Sequence, residues 1–574
     1  MTRTIGSNMI TFSKATPSER KRYLEQRWQD LKIVRDRHAT RWRDVERYVS
    51  PDSARFDIHN HGEDRDRSYI YDSTATLSLD ILASGMMSSA SSPSRSWFSL
   101  TTTNPALKDD HQVLLWLKQL EQALARTFDL TNTYMVLHQM YRDLALYGVS
   151  ANLITEDYNS ILAHHLLPCG EYAIASNIKG EVDTLYREFE LTAIQAIKAF
   201  GYDNVSRDIQ KCYQDGNLQQ YFSFIHAIEP REDRDLNSLK SIDKKWASYY
   251  YEQGQGQDGI VSEGGFNYFP CVVPRWEVIG ADPYGTSPCL KLLPDIMQLQ
   301  QETYRKLELI DQIAHPALQV PQSARNEQIS LQAGALNYVA STDNSNSIKP
   351  MLANNADGNI GVISNDIQDL RERIKEGLFV KQFLLLEDVA NNRKTTVEVY
   401  ALKEEKMLAL GSVSERINNE CLKPFVTIGL NRLLESGAMP QPPKQIQDAL
   451  LEVEFESVLA QAQKAIDLNA VDRFVSTVYN SVSVMPEVLD RIDPDGLIDV
   501  YKDRIGVDPK VLRSIEQAGE IRKQRAEQQQ AQQQAMQQAQ QAQAINQLAQ
   551  ASEHGTQASL ANQQLNGAID SLGL

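Results

Sequence analysis

The feature that most constrains this chain lies near its start: one long, unbroken helical stripe. Thr16-Pro17-Ser18-Glu19 puts a threonine at the N-cap, a proline at the first helical position and a glutamate three residues after the cap. That pattern satisfies two otherwise orphaned backbone donors reciprocally. Leu24, Trp28, Leu31, Val34, His38, Trp42, Val45 and Val49 then recur in steps of three and four until Ser50-Pro51, which defines one face of a single helix. At 1.5 Å per residue a helix over 17–49 is about 50 Å long. A rod of that length must lie across a body larger than one small domain.

The rest of the chain supplies that body. Its 574 residues exceed what one core can organise, so two to four structural regions are expected. The chain has 58 basic and 75 acidic side chains, a net charge of -17. Affinity for duplex DNA comes mainly from Lys and Arg on phosphates, so a tight, sequence-reading DNA binder is excluded while a loose contact is not. The five cysteines (Cys169, Cys212, Cys271, Cys289, Cys421) form no CxxC pair, which suits reduced thiols in a cytosolic compartment. No stretch approaches the roughly 18 uncharged apolar residues of a membrane span. Residues 1–16 lack the apolar core of a signal peptide. The sequence therefore predicts a protein made and assembled in the cytoplasm.

Further helices are predicted at 73–88, 109–129 and 132–147, the last stopping at Gly148, a left-handed C-cap. From Val149 to about Arg275 the texture changes to short alternating runs, among them Tyr172-Ala173-Ile174, Val182 to Phe189, Tyr221 to Ile225 and Trp246 to Tyr251. These read as strands with short helices near 191–200 and 205–214. From Pro288 a helical stripe returns through Leu293, Ile296, Met297, Tyr304, Leu307, Ile310 and Ile313 to His315-Pro316. Residues 317–362 are rich in Asn, Ser, Gly and Asp, and a helix over 363–379 follows. Two helices thus flank a compact irregular insert. After 381–394 a second capping box, Thr395-Thr396-Val397-Glu398, opens a helical stretch to Glu435, interrupted at Gly411 and near Pro424 and ended by Gly437. Met439 to Pro443 is a rigid connector, and 445–515 is predicted mostly helical with a turn at Asp493-Pro494-Asp495-Gly496.

Between Ala526 and Gln550, 13 of 25 residues are Gln and 7 are Ala, with no charge after Glu527. One reading is a disordered low-complexity tail. The other is a helix, since both residues are good formers, with Ala531, Ala535, Ala539 and Ala542 on one narrow face that allows close helix–helix approach. Residues 551–574 are expected to be disordered.

No catalytic constellation emerges. The sequence has no GxxxxGK[ST], HExxH, GxSxG or GxGxxG, which leaves no phosphate-cradling loop for a packaging ATPase. A calcium loop around Gly496 would need Arg491 and Lys502 as its first and last ligands, which they cannot be. His164 and His165 are adjacent on a predicted strand and point to opposite faces, so they are not a metal pair. His111, His138 and His226 stand alone. The runs Glu63 to Arg67 and Lys403 to Lys406 mix signs and read as ion pairs. No metal, no cofactor and no enzymatic activity are expected.

Several short passages, in order, resemble the podovirus-type portal family, the head-to-tail connectors of bacteriophages. They are Arg41-Trp42-Arg43-Asp44-Val45-Glu46-Arg47-Tyr48-Val49 with Pro51; Tyr71-Asp72-Ser73-Thr74-Ala75 running into Leu82 to Ser88 and Ser92 to Phe98; Pro274-Arg275-Trp276 with Tyr284-Gly285-Thr286-Ser287-Pro288 and Leu293-Pro294-Asp295; Arg393-Lys394-Thr395-Thr396-Val397-Glu398-Val399; and Arg491 to Asp495 with Gly506-Val507-Asp508-Pro509. They span about residues 20 to 520. Thr396 stands where the family pattern often has Ala.

The resemblance implies an α+β, predominantly helical portal fold, built as a ring of about twelve subunits around a central channel. It implies a flexible N-terminus (1–16), a wing (17–287), stem helices (288–316 and 363–380), a clip (317–362), a channel loop (381–394) and a wing or channel helix (395–438). A crown (439–515), a barrel helix (516–550) and the tail (551–574) would follow. The implied partners are double-stranded DNA, held without sequence preference, the terminase, the major capsid protein and the tail adaptor. The implied location is the portal vertex of the virion. DNA must slide, so the channel should be acidic or neutral with scattered cations. Lys381, Arg393 and Lys394 flank the loop and are the candidate DNA contacts; pairing with acidic neighbours between subunits is the rival role. A structural alternative, an internal scaffold or ejection protein, fits the tail and the long helices but not the helix–insert–helix layout.

Overall fold

The computed structural model describes residues 16–314 apart from 52, 57–66, 103, 105–106, 108–109, 233, 236–237, 239 and 255–259. Beyond these it describes 318–319, 349–350, 356–383, 411–437, 451–455, 517–540 and a few short pieces. The chain divides into two compact units, residues 1–103 with 119–463, and residues 104–118 with 464–574.

The first unit is organised by the rod. Helix α1 runs over Pro17–Val49, with Thr16 capping the Glu19 amide and Glu19 reaching back to the Thr16 amide (2.8 Å). Leu24, Trp28, Leu31, Trp42, Val45 and Val49 are all buried, as the apolar stripe predicts, but they do not face one core. The first half packs on a sheet: Leu24, Trp28 and Leu31 cluster with Ala173, Tyr186, Ile225, Ala227, Ala247, Tyr249 and Tyr251. The second half packs among helices, where Trp42 sits edge-on to Tyr284 (5.3 Å between centroids) and donates its indole N–H to the Tyr147 carbonyl (3.1 Å). One helix therefore splints two bodies.

In chain order, α2 (Thr74–Ala90), β1 (Phe98–Thr102), α3 (His111–Leu130) and α4 (Thr133–Tyr147) come next. The strand-rich region holds β2 (Ala151–Asp157), β3 (Ile161–Leu167), β4 (Tyr172–Ser176), β5 (Val182–Thr192), α5 (Ala193–Phe200), α6 (Arg207–Gln214), β6 (Tyr221–Pro230), β7 (Trp246–Glu252), β8 (Ile260–Phe266) and β9 (Cys271–Val272). β4-β5-β6-β7-β8 form an antiparallel sheet and β3-β2-β9 a smaller one. α5 and α6 cover the face of the larger sheet away from α1 through Ala193, Ala196, Val205, Ile209 and Phe224. On β3 the two histidines do diverge. His164 is buried, bonded to Thr133 (2.9 Å) and Asn152 (3.1 Å) and stacked on Phe425. Burial takes its pKa down to about 3, so it stays neutral. His165 is exposed. His226 is a core residue stacked on Tyr250 and bonded to Ser248.

α4 is buried along almost its whole length and stops at Gly148 with φ 82°. The next strand pair, β10 (Glu277–Val278) and β11 (Gly285–Thr286), brings Gly285 against that stop: a Cβ there would lie 2.3 Å from the Gly148 carbonyl oxygen. Only glycine permits this approach. Ser287 completes the joint by donating to the Leu146 carbonyl (2.8 Å).

Helix α7 (Pro288–Ala314) follows, then β12 (Leu318–Gln319), β13 (Lys349–Pro350), α8 (Ala356–Gly377) and α9 (Val380–Phe383). β12 and β13 pair antiparallel and so join the two ends of the insert. α8 begins at 356, seven residues before the expected 363, so part of the segment read as irregular is helical. The later helix is α10 (Gly411–Ile417), a π-turn (Asn418–Leu422) and α11 (Lys423–Glu435). The interruption is thus the π-turn, while Pro424 sits harmlessly in the first turn of α11. Within 445–515, expected to be mostly helical, Leu451–Phe455 form strand β14, paired with β1 in register from Phe98↔Phe455 to Thr102↔Leu451. Alternating Leu451, Val453 and Phe455 carry a strand period that a helical reading of the surrounding residues hides. Residues 1–15, 395–410 and 551–574 lie outside the described residues.

Of the second unit, the first eight residues of α3 and a helix over 517–540 are described. The Gln/Ala segment is therefore helical as far as 540, and from 522 to 540 every residue is exposed.

Trp42→Ala should cost about 3–5 kcal/mol, read as a lower urea midpoint, because it empties the joint between rod and helices. A pH effect follows from Asp143, which is 4% exposed and accepts one hydrogen bond, from Gln139. Burial pushes its carboxyl up to about 7, so the native chain keeps this proton where the unfolded chain has lost it. Its stabilisation is complete below the ordinary carboxylate pKa and is lost as pH rises toward 7. Asp143→Asn should therefore gain on the wild type between pH 4 and 7 in denaturation midpoints.

Candidate functional site

Helices α7 and α8 pack against each other, with Ile296 and Leu299 on one and Ile367, Leu370 and Ile374 on the other all buried. Gly377 lets the helices approach, since a Cβ there would fall 2.7 Å from Leu292. The opposite face of α8 is acidic. Asp366, Asp369, Glu372 and Glu376 are exposed there against the single guanidinium of Arg373, which leans to Asp295 (3.5 Å). Lys381, on α9, is exposed and pairs with Glu372 (3.1 Å), which also meets Lys375 (3.3 Å). The hydrogen bond from Lys381, then that from Lys375, holds the Glu372 carboxyl below its ordinary value.

The pair is fixed to the start of α2 at one buried carboxylate. Asp72 caps α2 by accepting the Thr74 amide (2.8 Å) and takes the Arg371 guanidinium on its other side (2.8 Å from Nε). Gln300 of α7 accepts the Tyr71 and Asp72 amides (2.7 and 2.8 Å) and donates to the Asp72 carbonyl (2.8 Å). Burial opposes the charge on Asp72, but the bonds from Thr74 and Arg371 outweigh it and hold the carboxyl below its ordinary value.

A second buried ion pair fixes the later helix. Arg275, 3% exposed, grips Glu420 of the π-turn with Nε and Nη2 (3.0 and 2.8 Å) and also donates to the carbonyls of Gly180 and Pro283. Arg416 approaches Glu420 from one turn earlier (3.1 Å).

The profile of the family described as "Bacteriophage head to tail connecting protein" matches residues 21–512. A protein named "Probable portal protein" from Bordetella phage BPP-1 is 40% identical over 519 residues, covering 90% of this chain and 93% of its own length. The "Portal protein" of Salmonella phage epsilon15 is 35% identical over 552 residues, covering 95% of this chain and 98% of its own. The chain belongs to the bacteriophage head-to-tail connecting protein family.

In this connector the family-like passages are joints of the fold. Trp42 meets Tyr284, Asp72 anchors α8, Arg275 clamps the π-turn, and Arg95 closes the end of α2 by donating to the Ser88 carbonyl (3.0 Å). Of the three candidate DNA contacts, Lys381 lies on α9, just after α8, and is bonded to Glu372 of α8; Arg393 and Lys394 lie outside the described residues. Gln300, Arg371 and Glu420 carry no local motif and lie 145 to 299 positions from their partners. Only the excess of polar residues on otherwise apolar helix faces hints at them.

Arg371→Gln should weaken the stem anchor by about 1–2 kcal/mol. The lowered Asp72 carboxyl stabilises the fold above the ordinary carboxylate pKa, and this is lost as pH falls through the native value. The variant should therefore show an acid-unfolding midpoint shifted to higher pH.

Proposed function

We propose that about twelve copies of this chain form a ring whose channel carries double-stranded DNA into and out of the capsid at the portal vertex. The acidic face of α8 carries this reading. Phosphates are held by cations, and this face sets four carboxylates against the Arg373 guanidinium and the ammonium groups of Lys375 and Lys381, both of which bond Glu372, so it offers the duplex little grip and lets it slide. Lys381, Arg393 and Lys394 then act as scattered cations at the inner end of the stem, with Lys381 restrained by Glu372. Residues 317–362, hung between the stem helices, suit a clip that meets the terminase during packaging and the tail adaptor afterwards. The wing meets the major capsid protein. The helix over 517–540, exposed at every residue from 522 on and uncharged after Glu527, suits side-by-side packing of identical copies as a barrel.

Native mass measurement and negative-stain microscopy of the full chain test the ring: a closed particle with a central hole is expected, and a clean monomer at high concentration would reject it. Phage carrying Lys381→Glu with Lys394→Glu should assemble rings yet package or retain less DNA; normal packaging rejects the cation role.

A further inference from the structure

An exposed cluster of arginine and tyrosine sits beside the stem anchor and is not used by the conduit. The Arg47 guanidinium lies over the Tyr69 ring (4.4 Å to the centroid), and Tyr48 meets Tyr69 edge-on at 6.2 Å. Tyr71 and Tyr304 are 5.0 Å apart. Tyr69, Tyr71 and Tyr304 are 37%, 43% and 41% exposed, and Leu307, one turn along α7 from Tyr304, is 51% exposed. Three separate elements build the patch: the end of α1, the loop before α2 and the middle of α7. We infer that this patch is a docking surface for a second copy of the same chain, a conclusion that rests on the ring reading above.

Several observations select that occupant. The backbone that carries Tyr71 is held before any partner arrives, because Gln300 accepts the Tyr71 and Asp72 amides. Preorganised tyrosines lose little freedom on binding, and Tyr and Arg dominate the energetic centres of protein interfaces. Duplex DNA does not fit, since it presents phosphates outward with its bases stacked inside, while the Arg47 guanidinium here is laid over the Tyr69 ring. Arg47 pairs with no carboxylate among the described residues, and a chain of net charge -17 brings carboxylates to it as a neighbour. Ile310 and Ile313, 44% and 42% exposed, continue the uncovered apolar surface along α7. A ring contact is head-to-tail, so this patch meets a different surface on the next copy.

The test uses the full chain with Tyr71→Ala and Tyr304→Ala combined. The concentration for half-assembly should rise at least tenfold, while circular dichroism and the protomer's melting temperature stay unchanged. Tyr158→Ala, at the fully exposed β2–β3 turn, should leave assembly unaltered. Hydroxyl-radical footprinting of wild-type protein avoids dependence on a variant: Tyr71 and Tyr304 should be modified several-fold less in the ring than in the protomer. Rings in which both tyrosines remain fully reactive, or a double variant that assembles like wild type, would overturn the docking surface and leave the ring intact. Protection by added duplex DNA without assembly would assign the patch to DNA instead. A wild type that never forms rings would remove the functional reading, and this inference with it.

Discussion

The architecture depends on the partnering of Asp72. A carboxylate in the interior is costly unless its lone pairs are filled, and here a helix-start amide and a guanidinium fill them while Gln300 satisfies the neighbouring backbone. The three groups come from α2, α8 and α7. The bond set therefore works only when α2, α7 and α8 are in register, and it converts a loop of ordinary sequence into a rigid bracket. Removing any one member strands buried polar atoms on the other two elements.

The same logic recurs at Arg275. Its guanidinium, nearly inaccessible, is shared among Glu420 and two carbonyls from separate turns, so one side chain ties together three segments distant in sequence. Between these polar brackets the fold uses close backbone approach, as at Gly148 and Gly285, and the rod α1. The rod's two halves answer to different partners, a sheet at Trp28 and aromatic side chains at Trp42. A body made this way resists shear between its sheet and its helices without needing a single continuous core.

Much of this was legible in the sequence because it is local. Thr16 to Glu19 and the apolar steps that follow are sufficient to place α1, and the αL stop at Gly148 and the alternating runs through Tyr186 and Tyr249 are equally short-range. The split of α1 between two bodies was not legible, since Leu24 and Val45 look alike in a stripe. Strand β14 was missed because its partner, β1, lies some 350 residues away, and pairing over such distances is decided by tertiary context. For the candidate site, the bond from Lys381 to Glu372 depends on the turn after Gly377, where Phe379 adopts φ 58°. No propensity rule places a phenylalanine there.

The π-turn at Asn418–Leu422 has a consequence for helical phase. A π-turn holds one residue more than an α-turn, so it offsets the faces of α10 and α11 by roughly 100°. Phe425 and Gly429 can thereby stay seated against Phe128, while the residues before Asn418 are set on an azimuth of their own. Substitutions on either side of that offset are thus decoupled in packing, and the helix carries two independent addresses on one continuous backbone.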